Sequence, residues 1–371
     1  MLRSIAVLSS HTPSLFWFRA DMMKEFIKRG YNVYALGNEE ESKWTDKFAD
    51  NGIVYQQISV SRTGLNFLQD IKTLDSIKKK LKSIMPDKVF TYQAKTVIYG
   101  SIAANRLGIT EVYPLIAGLG SVFSNNSLKA RILRTGMIAL YRYSMRKCPA
   151  VFFQNHDDEK VFRDHKIIQK QKVVMLHGSG VNTDRFAALP LPDKPVFLCV
   201  SRLIRDKGIY EYLMACRKLK AEHPDTRCLL VGPYDTNPSA LKPKELQPFL
   251  DDGTIEYFGE QEDVRPYIEQ SSVFVLPSYY GEGTPKVNLE AMSCGRAVIT
   301  TDAPGCRETV IDGVNGFLVP VKDVDAVYQK MKWFLENPAS ISELGRKGRS
   351  MAEEIFDVKR VNSKICETMG L

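Results

Sequence analysis

The sequence lacks several features that would assign it to a different class of protein. No apolar run approaches the roughly 20 residues that a helix needs to cross a bilayer, so we expect any membrane contact to be peripheral. The N-terminal segment MLRSIAVLSSHTPSLFWFRAD reaches Arg19 without a small-residue cleavage site, which predicts a first strand and turn, not a signal peptide.

Paired cysteines and a dinucleotide-binding motif are also missing. The 7 cysteines are scattered, odd in number and form no CxxC pair, which favours reduced thiols in a cytosolic protein over a zinc site or a disulfide framework. No GxGxxG follows the first predicted strand of either half, which argues against a nicotinamide-dependent oxidoreductase.

Length and composition indicate a soluble globular protein of two domains. The chain has 371 residues, 44% of them hydrophobic and 25% charged, with a net charge of +8. Residues 1–175 carry a net charge of +12 and the remainder −4. A basic first half is expected to meet an anionic partner such as nucleic acid, phosphate or a membrane surface, although solubility alone is an equal explanation.

Apolar strands alternate with helical segments through both halves of the chain. Ile5–Ser9 and Lys88–Tyr92 are examples in the first half, and a second series begins at Val196. This alternation predicts two doubly wound parallel sheets of the α/β class, with ligands at the carboxyl ends of the strands and in the cleft between the domains. The Gly- and Pro-containing segment His177–Pro195 has the composition of a linker.

One predicted helix, Asn126–Lys147, is amphipathic and has six basic residues but no acidic one. Such a helix suits an anionic membrane surface, at about 1 kcal/mol for each basic residue near the lipid. The alternative is a core helix with a solvated basic face.

The segment Gly281–Arg296 has the pattern of a helix that begins at an anion-binding turn. Thr284 is the predicted N-cap and Pro285 the first helical residue, and Gly295 ends the helix. Lys286 in the first turn opposes the helix dipole unless an anion occupies that end.

Charged residues surround this predicted helix start. Glu282 and Glu290 lie on either side of it, and Arg202 and Lys207 follow the strand Val196–Val200. A guanidinium and an ammonium so placed can neutralise a diphosphate. A solvated turn would explain the two cations alone, but an anion-ready helix start in the same domain favours a binding site.

These residues resemble a known family. SRLIRDKG, followed by YYGEGTPKVNLEAMSCGRAVITTDAPGCRETVIDGVNGFLV, is similar to the nucleotide-sugar-binding half of group-1 retaining glycosyltransferases of the GT-B fold. The resemblance extends over essentially the whole chain, through TYQAKTVIYGSIAANRLGI, IAGLGSVF, VFFQNHDDEKVF and GSGVNTDRF. It is strongest to bacterial enzymes that extend undecaprenyl-diphosphate-linked precursors of O-antigen, capsule or glycoprotein glycans.

The resemblance implies two Rossmann-like domains. Residues 1–177 are expected to bind the acceptor and residues 178–354 the nucleotide sugar, with a C-terminal helix at 355–371 crossing back onto the first domain. By the same resemblance, Arg202 and Lys207 bind the donor's diphosphate, Glu282 binds the transferred sugar and Glu290 binds the ribose hydroxyls. The backbone of Gly283, Thr284, Pro285 and Lys286 faces the sugar and the diphosphate. The base lies beside the loop Gly259–Gln261, with Gly259 and Gln261 as its contacts.

On the acceptor side the sequence departs from many relatives. They have a glycine pair after the first strand, whereas this chain has His11–Leu15, so a backbone contact near Ser14 is all that the resemblance supports. Some relatives use a histidine against the sugar, and its counterpart here is His156, with Gln154 and Asn155 competing for the role. A surface histidine at a helix start is the alternative interpretation of His156. Lys95 is the candidate for the acceptor's phosphate, although a lysine at a helix start is an equally ordinary feature.

The implied reaction transfers a hexose or N-acetylhexosamine, with retention, from a UDP-sugar to a lipid-linked saccharide. It needs no cofactor or metal, because two cations already offset the diphosphate. Asp323–Val324–Asp325 spells the DxD pattern that metal-dependent transferases of a different fold use. Here it opens a predicted helix, where acidic residues suit the helix dipole without any metal. We expect a cytoplasmic protein on the inner face of the cytoplasmic membrane, with no nucleic-acid partner.

Three other functions are alternatives for this sequence. A sugar-nucleotide epimerase of the same fold would lack the EGTPKVNLE block, and a phosphorylase would need a longer chain and a cofactor lysine. A nucleic-acid-binding protein would use the basic first half. That alternative lacks aromatic residues interleaved with the basic ones and leaves Glu282 and Glu290 without a role.

Overall fold

The first half of the chain forms one parallel sheet. The computed structural model describes residues 3–61, 67–124, 127–237 and 239–371. The strands of the first sheet are β1 (Ser4–Leu8), β2 (Asn32–Gly37), β3 (Val54–Gln57), β4 (Lys88–Tyr92), β5 (Val112–Ile116), β6 (Ala150–Phe153) and β7 (Lys172–Met175). Their spatial order is β3-β2-β1-β4-β5-β6-β7, and each neighbouring pair is parallel.

Helices cover both faces of this sheet, and for this reason its central strands β1, β4 and β5 are buried along nearly their whole length. They are α1 (Thr12–Lys28), α2 (Glu41–Ala49), α3 (Phe67–Ile84), α4 (Ala94–Arg106), α5 (Ser121–Ser124), α6 (Leu128–Ser144) and α7 (His156–Asp164). Two separate hydrophobic clusters result, one on each face of the sheet.

The second half repeats the plan with six strands. They are β8 (Val196–Val200), β9 (Arg227–Val231), β10 (Glu256–Tyr257), β11 (Val273–Leu276), β12 (Ala297–Thr301) and β13 (Gly316–Val319). The order is β10-β9-β8-β11-β12-β13, again parallel between neighbours. The helices are α8 (Ile209–Glu222), α9 (Pro243–Asp251), α10 (Arg265–Glu269), α11 (Lys286–Ser293), α12 (Val324–Glu336) and α13 (Pro338–Glu354).

The last helix, α14 (Val358–Met369), packs with the first half of the chain. Val361 and Ile365 are buried in the same hydrophobic cluster as Phe26 of α1. Arg29 Nη1, just after α1, donates to the carbonyl oxygen of Leu371 at 3.2 Å. The chain divides into two compact units, the first formed by residues 1–179 and 358–371 and the second by residues 180–357.

Each sheet has one point where the strand order reverses direction. It lies between β1 and β4 in the first unit and between β8 and β11 in the second. In open parallel sheets the crevice beyond the carboxyl ends of those two strands is the usual ligand site. The prediction of two doubly wound parallel sheets is therefore confirmed, and each sheet has one such crevice.

The predicted basic helix at 126–147 corresponds to α6, and Asn126 itself lies outside the described residues. Within the part of the chain that the structure describes, none of the helices combines the length and the apolar character needed to cross a bilayer.

Candidate active site

The loop after β8 is held against the end of β11 by a glycine. Gly208 has φ of +73°, and a Cβ atom there would lie 2.1 Å from the carbonyl oxygen of Pro277. Only glycine fits such a conformation at so close an approach. The 3-10 turn Arg205–Lys207 immediately precedes it, so this contact carries Lys207 to the strand-order reversal of the second unit.

Lys207 meets Glu282 at this point. Its Nζ lies 2.5 Å from Oε2 of Glu282, and the hydroxyl of Ser278 donates to the other carboxylate oxygen at 2.9 Å. The lysine and glutamate side chains are only 12% and 17% exposed, so salt screens their interaction weakly. The structure thus brings together two residues that the sequence assigned to phosphate and to sugar.

Arg202 also has a carboxylate partner. Its Nη1 lies 2.6 Å from Oδ2 of Asp235, in the loop after β9. Gly232 makes the neighbouring turn possible, since a Cβ atom there would lie 1.8 Å from the carbonyl oxygen of Ser201. Sequence reasoning did not identify Asp235. Its only signal was an acidic residue shortly after a buried strand of the same sheet.

One aromatic ring contacts both cations. The guanidinium carbon of Arg202 lies 5.8 Å and Nζ of Lys207 lies 5.4 Å from the ring centroid of Tyr280. Each such contact contributes about 0.5–1 kcal/mol at an exposed site and more where water is excluded. Tyr280 therefore helps to hold the two cations near each other, a role that the sequence did not reveal.

Helix α11 begins one residue later than expected. Pro285 has ψ of 114°, which is extended, and it is the N-cap of a helix that starts at Lys286. The predicted N-cap, Thr284, precedes a proline and is therefore restricted to extended conformations. Gly295 ends the helix as predicted, with φ of +79° and its N–H donated to the carbonyl oxygen of Met292 at 2.9 Å.

A second loop fixes the start of α11. Gly305 has φ of +86°, and a Cβ atom there would lie 1.8 Å from the carbonyl oxygen of Gly283. Thr284 is buried. Since the first N–H groups of a helix lack intrahelical partners and carry partial positive charge, this fixed turn can hold an anion beside Arg202 and Lys207.

Glu290 lies one turn inside α11. Burial raises the pKa of its carboxyl group, and the charges of Lys286 and Arg185 oppose that rise. A carboxylate with costly desolvation gains from hydrogen-bond donors that a ligand supplies. Vicinal hydroxyls are such donors, because an ionised carboxylate only accepts.

The neighbouring Asn288 has a structural role that sequence reasoning missed. It is fully buried and donates to the hydroxyl of Thr309 at 2.9 Å. This hydrogen bond ties α11 to the 3-10 turn Arg307–Thr309.

The predicted base-binding loop follows β10 and contacts the same region. The carbonyl oxygen of Gly259 accepts from the N–H of Gly232 at 2.7 Å, so it lies beside the turn that positions Arg202. The side-chain amide of Gln261 donates to the carbonyl oxygen of Phe258 at 2.7 Å and the residue is exposed. The structure therefore places this loop at the same crevice.

In the first unit, Ser14 belongs to a polar cluster at the strand-order reversal. Its hydroxyl lies 3.1 Å from the hydroxyl of Tyr92 and accepts from the side-chain amide of Gln93 at 3.0 Å. Gln93 has φ of +71° and ψ of 141°, a conformation that is costly outside glycine. Its Oε1 accepts from the hydroxyls of Ser9 and Ser10, which fixes this conformation. Gln93 was not identified from the sequence.

Lys95 does not join that cluster. Its Nζ lies 2.9 Å from Oδ1 of Asp70 and 2.7 Å from the hydroxyl of Ser61, and the lysine side chain is 12% exposed. The carboxylate of Asp70 therefore already balances the charge of Lys95, the residue predicted to bind the acceptor's phosphate.

Asn155 and His156 lie at the start of α7. The buried Asn155 is the N-cap, since its Oδ1 accepts from the N–H of Asp158 at 2.7 Å and its Nδ2 donates to the Asp158 carboxylate. His156 is 80% exposed, with Nδ1 3.8 Å from Glu159. These contacts of Asn155 are those of a helix cap.

The acidic pattern near the end of the second unit has structural partners. Asp323 caps α12 by accepting from the N–H of Ala326 at 2.9 Å, and Asp325 pairs with Lys218. Among the described residues, no group of three or more histidine, cysteine, aspartate or glutamate side chains could hold a metal ion. All 7 cysteines are described, and each is buried and free.

The two units are doubly wound parallel sheets, and the second holds paired cations and carboxylates at its strand-order reversal, an arrangement suited to an anionic ligand such as a diphosphate. Residues 181–351 match the family model for glycosyl transferases group 1, and residues 4–155 match the model for glycosyl transferase 4-like proteins. The chain belongs to the group 1 glycosyltransferase family, whose members retain configuration and need no metal ion.

Similar proteins extend over most of the chain. The N,N'-diacetylbacillosaminyl-diphospho-undecaprenol α-1,3-N-acetylgalactosaminyltransferase of Campylobacter jejuni is 27% identical over 90% of this chain and 89% of that protein. The UDP-Gal:α-D-GlcNAc-diphosphoundecaprenol α-1,3-galactosyltransferase of Escherichia coli is 25% identical over 71% and 70%. The sucrose-phosphate synthase structure from Thermosynechococcus elongatus aligns with a TM-score of 0.82, 20% identity and 98% coverage of both chains, a likeness of fold.

Proposed function

We propose that the protein transfers a hexose or N-acetylhexosamine from a UDP-sugar to a hydroxyl of a saccharide linked to undecaprenyl diphosphate. The observation that carries this proposal is the contact between Lys207 and Glu282 beside Arg202, which sets groups suited to a diphosphate next to one suited to sugar hydroxyls. Both enzymes described above act on diphospho-undecaprenol acceptors, and one uses UDP-Gal. Family membership favours sugar transfer over an epimerase or a nucleic-acid-binding protein.

The cations act on the leaving group. As the bond between the anomeric carbon and the phosphate oxygen breaks, negative charge grows on the diphosphate. Arg202, Lys207 and the N-terminus of α11 are already in place to stabilise that charge, and such fixed donors need no reorganisation during the reaction. The leaving phosphate oxygen accepts the proton of the acceptor hydroxyl, and the hydroxyl oxygen bonds to the anomeric carbon on the same face.

Lys207 and Glu282 can serve two ligands at once. The lysine ammonium has three N–H donors, and Glu282 takes one, so the others remain for phosphate oxygens. The carboxylate of Glu282 accepts from Lys207 and Ser278 and has further lone pairs for a sugar hydroxyl. We assign Glu290 to the ribose hydroxyls, the backbone of Gly283–Lys286 to the sugar and diphosphate, and Gly259–Gln261 to the base.

The acceptor's lipid places the reaction at a membrane, and we propose that α6 contacts the anionic inner face of the cytoplasmic membrane. Leu128 and Ile132 are 73% and 68% exposed and lie one turn apart, so they form a small apolar face beside basic residues. Arg134 and Arg142 also donate to backbone carbonyls of the first unit. Replacing Leu128 and Ile132 with serine should abolish co-sedimentation with phosphatidylglycerol vesicles; unchanged sedimentation would remove α6 from the contact.

A calorimetric titration of the wild-type protein tests the donor class. UDP is expected to bind, GDP to bind more weakly, and NAD and RNA not to bind. Binding of RNA without UDP would instead support a nucleic-acid-binding protein and contradict the proposal. Tighter binding of GDP than of UDP would leave the family assignment intact and replace the proposed nucleotide.

A further inference from the structure

Arg19 of α1 is a buried cation with no carboxylate partner among the residues that the structure describes. The residue is 2% exposed. Its Nε and Nη1 atoms are buried and have no hydrogen-bond partner among the described residues. The guanidinium carbon lies 5.0 Å from the ring centroid of Tyr92. Burial lowers the pKa of Arg19 to about 10, which leaves it charged at neutral pH. A buried charge and two donor nitrogens without hydrogen-bond partners are costly to fold around.

The position of Arg19 relates it to the ligand crevice of the first unit. Side chains on a helix tilt toward its N-terminus, so Arg19 lies over the turn that contains Ser14. That turn follows β1, and Tyr92 is the last residue of β4. These are the two strands at the strand-order reversal. The hydroxyl of Tyr92 is itself bound to Ser14, which joins Arg19, Tyr92 and Ser14 in one cluster at this edge.

The comparable cations elsewhere are already balanced. Lys95 has Asp70, Arg202 has Asp235 and Lys207 has Glu282. Arg19, by contrast, forms no salt bridge with a carboxylate of the described residues. The contact with the Tyr92 ring offsets part of the cost of burying Arg19, and an anionic group bound to its unpartnered nitrogens offsets more. Its planar fork of donors matches the geometry of phosphate oxygens.

We propose that Arg19 is the binding site, in the first unit, for the diphosphate of the acceptor. This inference rests on the function proposed above, in which two diphosphates are bound, one on each substrate. The donor's diphosphate has Arg202, Lys207 and the N-terminus of α11 in the second unit. The acceptor's diphosphate needs a cation of its own, and Arg19 takes the role that the sequence gave to Lys95. Ser14 and Gln93 border this site as hydrogen-bonding neighbours.

The first test separates binding from turnover. Geranyl diphosphate, a soluble prenyl diphosphate, is titrated into protein saturated with UDP, so that the donor's phosphate site is occupied. Wild type should bind, and R19M should weaken binding about 10- to 100-fold, the loss expected for a charge-assisted hydrogen-bond pair. R106M, which removes an exposed arginine of α4, is the matched control and should bind as wild type. No binding by wild type, or equal binding by R19M, would overturn the inference.

The second test uses turnover and stability. R19M should lower kcat/KM by a similar factor with an undecaprenyl-diphosphate monosaccharide, but not with the same monosaccharide as a neutral alkyl glycoside, and its affinity for UDP should stay unchanged. Its melting temperature should hold or rise, because an apolar side chain replaces an unpaired buried charge. Equal losses on both acceptors with a lower melting temperature would make Arg19 structural. A weaker affinity of R19M for UDP would mean that Arg19 binds the donor's diphosphate and not the acceptor's. Each of these two results would refute the proposal.

The two proposals can fail separately. If wild type binds geranyl diphosphate through Arg19 but transfers no sugar to any diphosphate-linked acceptor, the anion site stands and the proposed function fails. If wild type transfers sugar and R19M does so equally well, the function stands and the role of Arg19 fails.

Discussion

Lys207 and Glu282 form an ion pair of 2.5 Å between Nζ and Oε2, across the strand-order reversal of the second unit. They are 75 positions apart in the chain, and a glycine contact at Gly208 brings them together. The consequence is mutual dependence, because removal of either side chain leaves the other largely buried without its charge partner.

A double-mutant cycle measures that dependence. Lys207→Ala and Glu282→Ala should each lower kcat about 100-fold, the effect of losing one fixed donor at a developing charge, and the double variant should be far less than additive. Steady-state kinetics of the four proteins gives the coupling. Strict additivity would mean that the two residues act on the donor independently.

Arg202 should matter much more than its neighbour in the same loop. Arg202→Ala should lower kcat about 100-fold. Arg205→Ala is the matched control, since Arg205 pairs with Glu245 at the surface with its side chain 44% exposed, and such pairs contribute about 0–1 kcal/mol. The comparison is made by kcat with saturating donor. Near-normal turnover of the Arg202 variant would remove this residue from the diphosphate site.

Glu290 predicts a pH dependence of donor binding. Burial raises the pKa of this carboxyl group, so it takes up a proton at higher pH than an ordinary glutamate, and the protonated form is a poorer acceptor for ribose hydroxyls. UDP affinity should therefore fall as pH drops through that raised pKa, whereas Glu290→Gln should bind weakly with little pH dependence. Titration calorimetry across this range is the measurement, and parallel pH profiles for the two proteins would exclude Glu290 from the site.

The raised pKa of Glu290 affects the stability of the ligand-free protein in the opposite direction from UDP affinity as pH changes. A carboxyl group with a raised pKa contributes stability that is present at low pH and is lost as pH rises through the pKa of the folded state. UDP should restore stability at neutral pH, which thermal unfolding with and without UDP can measure.

Two glycine variants test the geometry at the start of α11. Gly305→Ala places a Cβ atom 1.8 Å from the carbonyl oxygen of Gly283, whereas Gly313→Ala meets nothing within 4 Å and has a similar positive φ, +72° against +86°. Both should lose about 1 kcal/mol of stability through the positive φ alone, and Gly305→Ala should lose more because its Cβ atom overlaps a backbone oxygen. Only Gly305→Ala should also lose UDP affinity, by about 10-fold or more if one charge-assisted contact to the diphosphate is displaced. Equal UDP affinities would show that this loop does not shape the donor site.

Local pattern was sufficient to predict the sheets. Apolar strands followed by helices specify a parallel sheet because each strand must be covered on both faces. Residues that follow such strands, including Arg202, Lys207 and Ser14, could therefore be placed at the carboxyl edge from sequence alone.

The partners of those residues could not be predicted. Lys95 and Asp70 are 25 positions apart and meet only because α3 packs on α4. The burial of Arg19 depends on its orientation against Tyr92, and the conformation of Gln93 depends on three serines from the other side of the strand-order reversal. These contacts follow from tertiary packing, which carries no short-range signal.

Sugar transfer to a lipid-linked acceptor is measured by an assay with mass-spectrometric detection. Wild type is offered a panel of UDP-sugars with undecaprenyl-diphosphate-linked monosaccharides, and Lys207→Ala is run beside it. One UDP-sugar should add the mass of a single hexose or N-acetylhexosamine to a lipid-linked acceptor, and the variant should form about 100-fold less product. Release of free sugar or an epimerised nucleotide sugar, without any elongated lipid-linked product from the panel, would contradict the proposed function.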